Sequence, residues 1–311
     1  MEAALVDEVL ACLPTNRTLF HYYKDQYATY LLQRVLNKNG PLSMQQLKQS
    51  SCKQLLEKPF VREILHTTGT QKVEAWHLEN ASVTDMHHYV LTLGKWGNRY
   101  GGAQTSRPGH NLVLQLNLPE SLDAEFQRIT GNAMNELTSR NHPQSKKRTA
   151  TLAWARLDIN FDSDEVLIEE IQSDLIRLLE QMKVQAQTGK NDGSNHFNWR
   201  GDTIPCQPML NYCEKVAGAQ KKIWAEAMLA ACLWFIHNEL GISKVFYNRF
   251  ETGNQMKNID WCLPPRSLYT DLPEKFCFNL TEEAPCFIRE DRKVRRKLNR
   301  IQNPQWYLLT I

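Results

Sequence analysis

One nine-residue run constrains this chain more than any other: residues 166–174, VLIEEIQSD. It begins with the side chains of a buried strand and ends in Glu169, Glu170, Gln172 and Asp174. Strand alternation puts Ile168, Glu170 and Gln172 on one face and Leu167, Glu169 and Ile171 on the other. A strand this apolar is covered on both faces, and a carboxylate inside it must be neutralised, paired or turned to a cleft. Ligand sites gather at the C-terminal ends of strands in α/β sheets. Glu169, Glu170, Gln172 and Asp174 are therefore the first candidate catalytic residues. The plainer alternative is that the strand ends at the surface and Ser173 or Asp174 caps the next helix.

The rest of the chain is that of an ordinary globular protein. Its 311 residues correspond to about two domains at roughly 150 residues each. Hydrophobic residues at 42% and charged residues at 23% exclude a disordered chain, a collagen-like repeat and a plain coiled coil. The formal net charge of +3 does not mark the whole chain as a nucleic-acid binder. Residues 1–14 carry acids where a leader peptide carries bases. The most apolar stretch, residues 225–236, falls short of the roughly 18 residues of a membrane span. These features predict a soluble, cytoplasmic protein with no membrane partner. Its eight cysteines form no CxxC pair, which predicts reduced, mostly buried thiols and no metal centre.

Periodicity divides the chain into three parts. Residues 1–82 read as helices over 2–13, 22–37, 43–49 (with Ser43 as N-cap) and 53–66, then a strand over 72–78. Helix, short helix, helix, strand resembles a winged helix, whose third helix enters the DNA major groove. Here that helix carries Lys53, Lys58 and Arg62. The bland use of such a module is protein contact. Residues 83–288 read as an α+β domain. Its strands fall at 88–93, 111–118, 152–160, 165–172, 244–248 and 275–280, and its helices at 119–137, 174–187 and 219–239. Residues 94–109, with Lys95, Trp96, Arg99, Tyr100 and Arg107, and residues 188–208, with His196, Trp199 and Arg200, read as loops. Residues 289–311 read as a basic tail. The expected fold class is α+β, a winged-helix-like module followed by a mixed, mostly antiparallel sheet with helices.

Three further segments extend the first motif: KKIWAEAMLAACLWFIHNELGISKVFY at 221–247, then ETGNQ at 251–255, with Trp154-Ala155-Arg156 ahead of them. With Glu169 to Asp174, Trp224, Gly241, Thr252, Gly253 and Gln255, residues 150–260 resemble an uncharacterised domain of very large phage and mobile-element polyvalent proteins. The resemblance implies a phage or mobile-element context and makes Trp224, Thr252 and Gln255 candidate substrate-binding residues.

A looser resemblance is to GNAT-type acyltransferases. They present a strand hairpin, a helix, a strand, and a short helix ending in a tyrosine before a last strand. Residues 153–160 with 166–172, then 219–239, 244–248, and Pro265 to Tyr269 leading into Phe276-Cys277-Phe278 are similar to that order. The resemblance implies a transferase in which Glu169 or Glu170 deprotonates an amine and Tyr269 protonates the leaving thiolate. It also implies acyl-CoA. Gln172-Ser173-Asp174-Leu175, however, has no glycine and adds a negative charge where a glycine-rich pyrophosphate turn would lie.

Outside these motifs, His196, in the polar loop with Trp199, Arg200 and Asp202, is the histidine to test first and a candidate substrate-binding residue, whereas His237 reads as a core or capping residue. Residues 289–300 hold seven basic residues against two acidic. Arg292, Arg295 and Arg296 share a helical face, with Trp306 and Tyr307 nearby for stacking on bases. The sequence thus leaves two readings. One is an enzyme with a carboxylate-lined cleft. The other is a non-enzymatic regulator that binds nucleic acid through the winged-helix-like module or the basic tail.

Overall fold

The computed structural model describes residues 1–12, 18–69, 72–79, 85–98, 104–139, 141–148 and 150–310. Arg99 and Tyr100, expected in a loop, lie outside the described residues. Helix α1 (Ala3–Cys12) precedes strand β1 (Thr18–Tyr22), α2 (Gln26–Asn39), the short strand β2 (Leu42–Ser43), α3 (Met44–Gln49), α4 (Pro59–Thr68) and β3 (Lys72–Val73). Then come β4 (His87–Asn98), β5 (Gly109–Asn117), α5 (Glu120–Thr130), α6 (Met134–Leu137), β6 (Thr151–Asn160) and β7 (Glu165–Gln172). A long crossover follows, made of α7 (Asp174–Asn191), the hairpin β8 (His196–Trp199) and β9 (Asp202–Pro205), α8 (Cys206–Gln220) and α9 (Trp224–Asn238). The chain closes with β10 (Lys244–Asn248), α10 (Phe250–Lys257), α11 (Asp271–Lys275), β11 (Asn279–Thr281), α12 (Cys286–Glu290), α13 (Arg292–Leu298) and β12 (Trp306–Thr310).

Eight strands form one sheet in the order β1-β4-β5-β6-β7-β10-β12-β11. Neighbours are antiparallel except for β7 and β10, which run parallel. The expected α+β class with a mixed, mostly antiparallel sheet is what the chain forms. The middle of the sheet, β5 to β7 with β10, is buried on both sides. Leu112, Leu114, Ala153, Ala155, Leu157, Val166, Ile168, Val245 and Tyr247 face a large core shared with α2, α7, α8 and α9. Leu167, Phe246 and Trp306 face a smaller core with α10, α12 and α13. This double cover explains why β6 and β7 read as near-continuous apolar runs.

Local chemistry sets several boundaries away from those that periodicity predicts. The helix expected over 53–66 is broken. Residues Lys53–Glu57 form a 3₁₀ turn, Lys58 is extended at ψ 130°, and α4 starts at Pro59. A residue before proline is driven out of the helical region, and proline then suits a first turn. The strand expected over 72–78 is only Lys72–Val73, paired with β2, and Ala75–Leu78 turns into 3₁₀. The helix expected over 219–239 divides into α8 and α9, and the one over 119–137 into α5 and α6. Within the loop expected over 188–208, α7 continues to Asn191 and β8 pairs with β9. Ser43 does cap α3. Its Oγ accepts from Gln46 N at 3.2 Å and Gln46 Oε1 accepts from Ser43 N at 2.8 Å.

Neither end of the chain stands apart. Strand β1 pairs with β4 in the main sheet, and Tyr27 and Leu31 of α2 lie in the same core as α9. Residues 289–311 contribute α13 and then β12, which lies between β10 and β11. Trp306 and Tyr307 are consequently buried in the sheet and unavailable to stack on bases.

Candidate active site

The centre of the site is a defect in sheet pairing. Across β6 and β7, Arg156 faces Glu170 while Leu157 faces Ile168, so Glu169 is an extra, bulged residue. Parallel pairing of β7 with β10 runs from Glu165 with Lys244 to Ile168 with Tyr247 and goes no further. The two strands therefore part at the bulge. The insertion also resets the faces, because Ile168 and Ile171, three residues apart, enter the same core. Glu170 meets Arg156, which alternates with core-facing Ala155 and Leu157. Glu169 meets Asn248, two residues beyond Phe246 of the smaller core. Both carboxylates thus turn to the side opposite the large core, which corrects the alternation that set them on opposite faces.

Glu169 is fully buried. Its Oε1 accepts from Ser106 N at 2.8 Å, and its Oε2 from Ser106 Oγ at 2.7 Å and Asn248 Nδ2 at 3.0 Å. Its main-chain carbonyl lies beyond the last β10 partner and accepts from Lys257 Nζ at 3.0 Å and Asn248 Nδ2 at 3.3 Å. Asn248 can occupy this place because α10 presents Gly253 to it. A Cβ on Gly253 would come within 2.9 Å of Asn248 Cβ. Glu170 forms an ion pair with Arg156, and Lys257 Nζ lies 3.9 Å away. The Arg156 guanidinium also sits 5.5 Å from the Trp96 ring centroid and 6.0 Å from that of Trp154.

These surroundings separate the two carboxyls. Burial raises the pKa of Glu169, and the nearby Lys257 only partly offsets it. Burial also acts to raise Glu170, but Lys257 and Arg156 outweigh it and hold Glu170 below the usual range. Lys257 is itself lowered by burial, against the pull of Glu170. Tyr269 is buried with its hydroxyl unpartnered among the described residues, and its ring centroid is 5.6 Å from Lys257 Nζ. Burial first, then the charge of Glu170, pushes that phenol well above its ordinary pKa. Beyond the bulge, Arg107 donates to both oxygens of Asp158 at 2.7 Å.

The end of β7 carries a second polar group. Ser173, not Asp174, caps α7, its Oγ accepting from Ile176 N at 3.2 Å. Asp174 lies 2.9 Å from His142 Nδ1, accepts from Gln172 Nε2 at 2.8 Å and Trp154 Nε1 at 3.3 Å, and pairs with Arg177. Burial opposes ionisation of Asp174, yet His142 and the donors around it keep its pKa low. A polar cavity of about 620 Å³ opens beside it, lined by Glu136, Asp174, Arg177, Gln181, Arg200 and Asp202 among others.

The fold therefore brings Glu169 and Glu170 together around Lys257, whose Nζ lies 5.6 Å from the Tyr269 ring centroid, with Gln172 and Asp174 one step along the same strand end. The other candidates disperse. Trp224 is half-buried at the start of α9, packed against the large core. Thr252 Oγ1 accepts from Gln305 N at 2.9 Å, tying α10 to the approach to β12. Gln255 and His196 are exposed, and His196 lies on the β8–β9 hairpin. His237 is buried, with Nδ1 3.0 Å from Tyr30 Oη. Lys53 and Arg62 are exposed, and Lys58 pairs with Asp25 at 3.3 Å. Arg292, Arg295 and Arg296 are exposed on α13. The residues that sequence reasoning missed are Ser106, His142, Asn248 and Lys257. Arg156 had a visible signal, a cation inside an apolar strand, whereas Lys257 had none, because its partners come from a strand far away in sequence.

Among the described residues no group of three or more His, Cys, Asp and Glu side chains is placed to hold a metal, and no helix is long and apolar enough to cross a membrane. No family model, curated protein or solved structure matches the chain.

Proposed function

We propose that this chain is a group-transfer enzyme of the acyltransferase kind, with its reacting centre where β7 and β10 part. The observation that carries this reading is the bulge, which turns two buried carboxyls of opposite protonation tendency to one side of the gap. The order of elements supports it as well. The β6–β7 hairpin, the helical crossover, the parallel strand β10, and the turn Arg266–Tyr269 ahead of the last strands follow the order expected from the GNAT resemblance.

In this reading Glu169 is the general base. A pKa raised by burial brings a carboxylate closer to neutrality, where a proton acceptor is most effective. The amine nitrogen attacks the acyl carbon of a thioester. Its proton passes to Glu169, the carbon–sulfur bond breaks, and the Tyr269 hydroxyl protonates the departing sulfur. Asn248 and Lys257 hold the loop of β7 that carries the base. Glu170, locked to Arg156, remains ionised and positions Lys257.

The α7 terminus does not fit the diphosphate of acyl-CoA. Ser173 already takes the Ile176 N–H, and the Asp174 carboxylate stands in the first turn, so a diphosphate there meets a negative charge. The donor in this reading is a shorter acyl thioester.

The test is acetyl transfer from the S-acetyl thioester of N-acetylcysteamine to a mixture of primary amines. Glu169→Gln is expected to lower the rate by about 10²–10⁴-fold, and Tyr269→Phe to lower kcat with little change in KM. The wild-type rate is expected to rise with pH as Glu169 loses its proton. No transfer by the wild type, or equal rates for wild type and Glu169→Gln, overturns the proposal.

A further inference from the structure

The α13 segment, RKVRRKL, has no part in the chemistry above, yet it borders the site. Val294 fixes the helix by entering the smaller core. Lys293 and Lys297, four residues apart, share a face. That face closes a cavity of about 160 Å³ whose lining includes Thr105, Ser106, Lys257, Asn258, Lys293 and Lys297. Lys297 is held at the mouth, donating to Met256 O at 2.8 Å and Asn258 Oδ1 at 2.5 Å. Lys293 is exposed and takes part in none of the ion pairs of the described residues. The nearest acid on its own helix is Asp291, which caps α13 by accepting from the Lys293 and Val294 N–H groups at 2.8 and 3.0 Å. The floor of the cavity is the site itself, since Ser106 holds the Glu169 carboxyl and Lys257 holds the Glu169 carbonyl.

From this arrangement we infer that the cavity is a binding subsite for a phosphate monoester group carried by the substrate. Three ammonium groups and a side-chain amide around so small a space suit a compact tetrahedral oxyanion, while the Thr105 and Ser106 hydroxyls are held by Arg107 O and Glu169. Arg292, Arg295 and Arg296, exposed on the same helix, add a field that draws anions toward the mouth. The subsite takes the anionic handle that the α7 terminus repels, and it leaves the rest of the ligand within reach of Glu169. The inference rests on the group-transfer reading only for which end of the ligand reacts. Phosphate recognition at this cavity can be read without any turnover.

The experiment is titration of the full chain with inorganic phosphate, and separately with a simple phosphate monoester, by ³¹P NMR and calorimetry at fixed ionic strength. Saturable binding of both is expected. Lys293→Ala, an exposed substitution that leaves the fold intact, should weaken it by about tenfold, and Lys293→Ala/Lys297→Met should weaken it further. Glu169→Gln removes a carboxylate from the floor of the cavity and should bind phosphate at least as tightly as the wild type even if it transfers no acyl group, which separates failure of this inference from failure of the catalytic reading. No saturable binding by the wild type overturns the inference. So does an equal loss on Arg296→Ala, which would show general charge attraction instead of a defined cavity.

Discussion

At the scale of single residues, Glu169 and Glu170 are adjacent in sequence and have their pKa values shifted in opposite directions, and stability should record both. Glu169 has its pKa raised in the fold, so its contribution is full below the ordinary glutamate value of about 4.3 and is lost as pH rises through the folded value. Glu170 has its pKa lowered, so its contribution is present above that ordinary value and is lost as pH falls through the folded one. Glu169→Gln should therefore flatten the decline in stability on the alkaline side, measured as the urea midpoint at about pH 5 and pH 8. A variant that keeps the wild-type slope would show that another group sets it. Arg156→Met leaves Glu170 without its ion-pair partner, with Lys257 and, more weakly, His142 still favouring its charge. Breaking a buried pair costs about 3–5 kcal/mol, and the loss should fall toward the lower end because Lys257 remains 3.9 Å away. The oddity of these side chains was legible in the sequence, since carboxylates and a guanidinium do not enter buried strands without partners. The partners were not, because Asn248, Lys257 and Ser106 reach Glu169 from segments that no local pattern links to it.

At the scale of elements, the strands were readable and their defect was not. The apolar runs that become β6, β7 and β10 announce themselves through β-branched and aliphatic side chains. A bulge depends on which residue of the neighbouring strand stands opposite, so alternation carried straight through Glu169 and put Glu170 and Ile171 on the wrong faces. The same holds for the helix broken at Pro59. There the local rule was present in the sequence, but apolar periodicity on either side of it suggested continuity. Gly253 is the converse case. It belongs to the TG-x-Q resemblance, and its use shows only in the packing, where α10 lies against Asn248. Gly253→Ala should cost about 1–3 kcal/mol through overpacking and displace the Asn248 side chain from Glu169. The urea midpoint reads the first effect, and the Asn248 side-chain amide resonances read the second. Unchanged resonances would show that the backbone yields instead.

For the whole molecule, composition and element order were enough to reach the α+β class. They could not divide the chain, because membership of the sheet is decided by contacts between distant segments. The stretch read as a basic tail ends in β12, which supplies hydrogen bonds to both β10 and β11. Removing residues 304–311 should therefore abolish cooperative unfolding, followed as the thermal melt in far-ultraviolet circular dichroism. A truncated chain that melts like the full one would show that β12 is dispensable. The position of β12 also bears on how the chain is made. During synthesis β10 is complete well before residues 306–310 leave the ribosome, so the apolar edge of Val245, Phe246 and Tyr247 waits without its antiparallel neighbour. An open edge of that composition pairs readily with other chains. The nascent protein is therefore exposed to aggregation in the interval before β12 emerges, and a translational pause inside the arginine-rich stretch of α13 would lengthen that interval.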